Sequence, residues 1–166
     1  MKKIGLLFLI VLSVFLITGC GSTKGEPTKK KSLFDTKKTM TCTKEEVDED
    51  GYKTSSTYKI TYTSKKVTKV DSDSIMEMDS ETIDWVYTFG QAIATELDKL
   101  DGITASYTKI DSNKIEMKLI AVYDKIDPEQ VKEALGGLSD DTDFYTKTDI
   151  TVDEFIKQNL EGFTCK

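Results

Sequence analysis

The sequence predicts an α+β domain: an antiparallel sheet of about five strands, in the order β-β-β-α-β-β-α-α, packed on one long helix. Three observations predict it. Runs of alternating apolar and polar residues, separated by turn signals, lie on both sides of the middle of the chain. One apolar stripe at helical spacing runs from Asp79 to Leu100. Two short segments with helix-start signals follow near the end.

Each element has its own reason. The domain is expected over residues 39–166, opening on Met40-Thr41-Cys42-Thr43, which alternates as a half-buried strand does. Glu49-Asp50-Gly51 is a hairpin turn signal, since Asp-Gly favours positive φ. Tyr52 to Thr63 is rich in Thr and Tyr and places Tyr58, Ile60 and Tyr62 on one face. Ser64-Lys65-Lys66 turns the chain, and Val67 to Val70 makes a third strand of the meander. From Asp79 to Leu100, Ile83, Val86, Tyr87, Gly90, Ile93, Ala94, Leu97 and Leu100 share one helical stripe. Asp79 or Ser80 can cap its start, and Gly102 suits its stop. A second hairpin follows: Ile103, Ala105 and Tyr107 alternate, Asp111-Ser112-Asn113 turns, and Ile115 to Tyr123 alternates again. Leu119 to Val122 is apolar on both faces, which suits an interior strand. Asp127-Pro128-Glu129 opens a short helix closed by Gly136-Gly137. Thr151-Val152-Asp153-Glu154 is a capping box whose helix stops by Gly162.

The first 38 residues are of a different kind. Lys2 and Lys3 precede an apolar stretch from Ile4 to Leu16, interrupted only by Gly5 and Ser13. That is shorter than the roughly 20 residues needed to cross a bilayer, and it reads as a secretory signal over residues 1–19. Ile17-Thr18-Gly19-Cys20 resembles the lipobox of bacterial lipoproteins. The resemblance implies cleavage between Gly19 and Cys20 and a diacylglyceryl group on the Cys20 thiol. Residues 20–38 then form a tether too poor in large apolar groups to offset its ordering entropy. Within 21–38, six lysines stand against Glu26 and Asp35, a net +4 suited to an anionic membrane surface.

The remainder, 39–166, carries 15 lysines against 27 acidic residues, a net −12. The chain has neither histidine nor arginine. An acidic domain repels nucleic acid. Without histidine, the commonest general base and metal ligand is missing. No phosphate loop, G-x-S-x-G or zinc-type cysteine cluster is present. No catalytic residue, metal site or cofactor is therefore assigned, and the expectation is a non-enzyme. With Cys20 lipidated, Cys42 and Cys165 are an even pair in an exported, oxidising setting, which favours a disulfide over two buried thiols.

Two acidic turns and one aromatic pair are the remaining features. Glu46-x-Asp48-x-Asp50-Gly51 has the first half of an EF-hand loop, but Thr57 stands where the bidentate glutamate belongs. An exposed turn is the simpler reading there, as for Ser139-Asp140-Asp141-Thr142-Asp143. Trp85 and Phe89 lie on the long helix off its buried stripe, at i and i+4. They are expected either to pack beneath a loop or the C-terminal helix or to form an exposed contact surface, with Phe144, Tyr145, Phe155 and Phe163 as possible neighbours.

The layout resembles the YehR-like family of small bacterial lipoproteins of unknown function. The resemblance rests on the lipobox at Cys20, Thr39-Met40-Thr41-Cys42-Thr43 after a short tether, the turn Glu49-Asp50-Gly51, Tyr58-Lys59-Ile60-Thr61-Tyr62, and the helix carrying Trp85 before a second hairpin. It implies an extracytoplasmic α+β domain at the cell membrane and brings no site residues. The expected function is a non-enzymatic binding module meeting an envelope protein. The alternative is a carrier of a small apolar or amphipathic ligand between sheet and helix, marked by an internal cavity.

Overall fold

The computed structural model describes residues 36–135 and 147–166. The expected signal, the expected tether as far as Asp35, Gly19 and Cys20, Gly136-Gly137, the acidic stretch 139–143, Phe144 and Tyr145 lie outside the described residues, while Lys38, expected as the last tether residue, opens the first strand. Six strands form one antiparallel sheet: β1 (Lys38–Val47), β2 (Lys53–Thr63), β3 (Lys66–Glu77), β4 (Ile103–Lys109), β5 (Lys114–Val122) and β6 (Thr164–Cys165), in the order β4-β5-β3-β2-β1-β6. The helices are α1 (Ser80–Leu97), α2 (Pro128–Leu135) and α3 (Val152–Asn159). The α+β class and element order are those expected, with the sheet one strand larger.

Local chemistry explains the connections. The Asp48 carboxylate accepts from the backbone N–H groups of Asp50 (3.0 Å) and Tyr52 (2.9 Å), and Gly51 takes φ +85°, which closes the β1–β2 turn. Ser64 and Lys65 both have positive φ, matching the two-residue hairpin that follows strand twist. Asp79 caps α1 by accepting from the N–H groups of Glu81 and Thr82. Thr151 and Glu154 make both halves of the capping box that opens α3.

Strand β3 is far longer than the expected Val67–Val70. Asp71-Ser72-Asp73-Ser74 has poor strand propensity, yet β3 is paired along its length by β2 on one side and β5 on the other, and that pairing overrides propensity. Ser72 and Ser74 point inward, and Ser74 is bonded to Ser56 at 2.8 Å. This hydroxyl band separates two apolar clusters. The larger gathers Ile60, Val70, Leu97, Ile103, Val131 and Phe155; the smaller gathers Met76, Met78, Ile83 and Ile115. Each fully buried Ile or Phe contributes about 1.5–3 kcal/mol.

Among the described residues, the helices cover only one face of the sheet. On the other face the lysines Lys53, Lys59, Lys69, Lys114 and Lys118 are matched one for one by Glu45, Asp71, Asp73, Glu77 and Glu116. That face is neutral, so the acidic excess of the described residues lies on the helical side and the turns.

Strand β6 has two residues, too few to alternate. Thr41 and Lys166 exchange both backbone hydrogen bonds at 2.9 Å. Cys42 and Cys165 form the adjacent non-hydrogen-bonded pair, where facing side chains approach most closely. Their Cα atoms are 4.0 Å apart and the sulfurs are joined as a disulfide. The bond pins the C-terminal segment to the outer edge of β1.

Candidate functional site

Helix α1 positions two features, one on its outer side and one along its contact with β4. On the inner side Ile83, Gly90, Ala94 and Leu97 are buried. Gly90 lies against Tyr107, so the helix is seated closely on β4. Burial pushes the Tyr107 phenol up to about 12. On the outer side Trp85 and Phe89 stack nearly parallel, with ring centroids 5.5 Å apart and planes 6° from each other. Trp85 is 44% exposed, so the C-terminal helix does not bury it. Asp84, beside Trp85, is paired with Lys109. Phe155 and Phe163 are not part of this surface: Phe155 packs edge-on to Tyr123 and Phe163 edge-on to Tyr58, in the larger core cluster.

A groove of about 350 Å³ runs between α1 and β4, lined by Gln91, Ala94, Thr95, Asp98, Lys99, Ala105 and Ser106. Strand β4 is an edge strand. The Gln91 amide donates to the Tyr107 carbonyl (2.8 Å) and to the Tyr87 hydroxyl (3.0 Å). The Asp98 carboxylate accepts from the Ala105 N–H at 3.3 Å. Nothing in the periodicity singles out Gln91 or Asp98, because their roles depend on how α1 folds back over β4. A second cleft, of about 270 Å³, lies by the β1–β2 turn and the start of α1. There the Tyr52 hydroxyl donates to Asp79 at 2.6 Å. That bond, with those from Thr82, holds the Asp79 carboxyl well below the usual carboxylate range, and the bond to Asp79 raises the Tyr52 phenol.

Two solved structures share this arrangement of strands and helices. An NMR structure of a protein from Streptococcus pneumoniae TIGR4 aligns over 91% of this chain and 98% of its own length, with a TM-score of 0.54 and 14% identity. The NMR structure of the E. coli YehR protein aligns over 80% of this chain and 93% of its own, with a TM-score of 0.51 and 17% identity. This is a YehR-like fold. At such identities the likeness concerns the fold alone. No protein-family profile matches the sequence, and no curated protein is significantly similar to it.

Within the YehR-like fold the acidic turn at Glu46 to Gly51 is a structural hairpin. One oxygen of Asp48 is engaged by two backbone N–H groups, and Glu46 pairs with Lys44 at 2.6 Å. Among the described residues, no three Asp, Glu or Cys side chains gather in a metal-ligating arrangement.

Proposed function

We propose that the chain is held by a lipid on Cys20 at the extracytoplasmic face of the cell membrane, and that its domain is a non-enzymatic interaction module contacting an envelope protein through Trp85 and Phe89. The observation that carries the reading is the exposed Trp85 ring stacked on the half-buried Phe89 on the outer side of α1. A purely structural helix places polar residues there, whereas large rings beside charged groups are the usual makings of a contact hot spot. Glu81 and Asp84 supply such charge. The acidic helical side suits a basic partner and disfavours nucleic acid. The lipobox residues support the anchor, since two acyl chains hold a protein firmly on a bilayer where one does not. A carrier of a small amphipathic ligand is the second reading; the two clefts described are open surface grooves and not enclosed cavities.

Site-specific photo-crosslinking in intact cells tests the contact surface. A crosslinker at position 85 should capture a discrete adduct, and one at Lys59 on the uncovered sheet face should not. Equal capture at both positions, or none at 85 in a correctly localised protein, would remove the surface. The anchor is tested separately. Cys20→Ala should release the protein from the membrane fraction or leave a precursor, and a processed variant still in the membrane would disprove lipidation there.

A further inference from the structure

We propose that the groove between α1 and the free edge of β4 is a docking site for an extended basic peptide, which joins the sheet as a further strand. The proposal is independent of the Trp85–Phe89 surface. It begins with hydrogen-bond parity. The Val122 N–H bonds to the Gly102 carbonyl and the Ile110 N–H to the Lys114 carbonyl. In an antiparallel ladder this assigns the even-numbered residues of β4 to bonding with β5. The backbone groups of Ala105 and Tyr107 therefore point away from the sheet, two residues apart, in the spacing an added strand would use.

Two of those outward groups are met by side chains that imitate a missing strand. The Gln91 amide N–H occupies the place of a strand N–H at the Tyr107 carbonyl. An Asp98 oxygen occupies the place of a strand carbonyl at the Ala105 N–H, at a longer 3.3 Å. The Ala105 carbonyl and the Tyr107 N–H meet no partner among the described residues. Both stand-ins are exchangeable for peptide backbone. Edge strands left open invite pairing, and strand addition between an edge and a helix is an established mode of peptide recognition.

The groove's shape and charge define the occupant. Gly90 brings α1 close at the Tyr107 end. Ala94 and Ala105 then leave a channel of about 350 Å³, which admits an extended segment but not a helix about 10 Å across. Lys99 is paired with Glu96 at 2.6 Å, so Asp98 supplies the channel's uncompensated charge. Once displaced from Ala105, its carboxylate is placed to pair with a lysine or arginine of the incoming segment.

The test uses the isotopically labelled full chain in detergent micelles. The probe is a capped hexapeptide alternating lysine and valine, with a control N-methylated at alternate amides. Binding should slow hydrogen exchange at the Tyr107 N–H. The control should bind about tenfold or more weakly, as loss of backbone hydrogen bonds requires. Thr95 is exposed on the rim, so Thr95→Phe should fill the channel without disturbing the core and abolish binding. Trp85→Ala should leave binding unchanged, which separates this proposal from the Trp85 surface. No protection at Tyr107 at millimolar peptide, equal affinity of the methylated control, or undiminished binding by Thr95→Phe would each overturn it.

Discussion

Gly90→Ala measures how closely the long helix is seated on the sheet. A methyl added there would stand 2.3 Å from Cε1 and 2.5 Å from Cδ1 of Tyr107. Carbon atoms in comfortable contact stand about 3.5–4.0 Å apart. Two effects oppose. Alanine is about 1 kcal/mol better than glycine within a helix. Overpacking a filled interface costs about 1–3 kcal/mol. The ring cannot yield freely, because Tyr107 packs on the cluster of Met76, Met78, Ile83 and Ile115. Moving α1 instead would strain the bond from Gln91 to the Tyr107 carbonyl. Overpacking wins, with a net loss of up to about 2 kcal/mol, or a fall in Tm of up to about 10 °C for a domain of this size. Urea and thermal denaturation of the variant give the number. A double-mutant cycle gives the cause: in a Tyr107→Ala background the clash is gone, and Gly90→Ala should stabilise by about 1 kcal/mol. An increase in Tm on Gly90→Ala alone would refute the close seating.

The remaining predictions concern the disulfide, the helix caps and the aromatic pair. Replacing both Cys42 and Cys165 by alanine removes a link between residues 123 apart, worth about 5 kcal/mol in the loop-entropy model, and should lower the urea midpoint; an unchanged midpoint would show the link to be energetically idle. In the wild type, maleimide should find neither of these two thiols in denatured, unreduced protein. Asp79 and Glu154 both have carboxyls lowered in the folded state, chiefly by side-chain hydrogen bonds from Tyr52 and Thr151 respectively. Their stabilisation is complete above the ordinary values of 3.8 and 4.5 and is lost as pH falls below them. Asp79→Asn with Glu154→Gln should therefore flatten the acid limb of a Tm–pH curve, and an unaltered limb would assign acid sensitivity elsewhere. Acrylamide should quench Trp85 appreciably in the native state, and a shielded, blue-shifted emission would contradict its 44% exposure.

Most of the fold was legible because its signals are local. The capping box at Thr151, the Asp-Gly turn and the stripe on α1 each lie within a few residues of sequence, and each is found where periodicity put it. The parts that were not legible are those that tertiary pairing decides. Asp71 to Ser74 carries no strand signal of its own and becomes strand once β2 and β5 are laid on either side. Thr164–Cys165 has no pattern of its own and becomes a strand through Cys42. The same distinction holds at the candidate sites. Trp85 and Phe89 were visible because they break a helical stripe, whereas Gln91 and Asp98 look like ordinary surface residues until the edge of β4 lies beneath them.

The Cys42–Cys165 bond also decides how the domain carries mechanical load. Residues 42 to 165 form a covalent ring whose two exits lie side by side at the edge of the sheet. A pull applied at Lys38 can peel β1 only as far as Thr41, about 13 Å of chain, before the tension passes through sulfur into the C-terminal segment. Unzipping strand by strand stops there, and the rest of the sheet lies inside a closed loop. A threading unfoldase drawing from that side must likewise take in two strands abreast until a reductant opens the ring. When force is applied at its N-terminal side, extension of the domain is thus capped within the first strand.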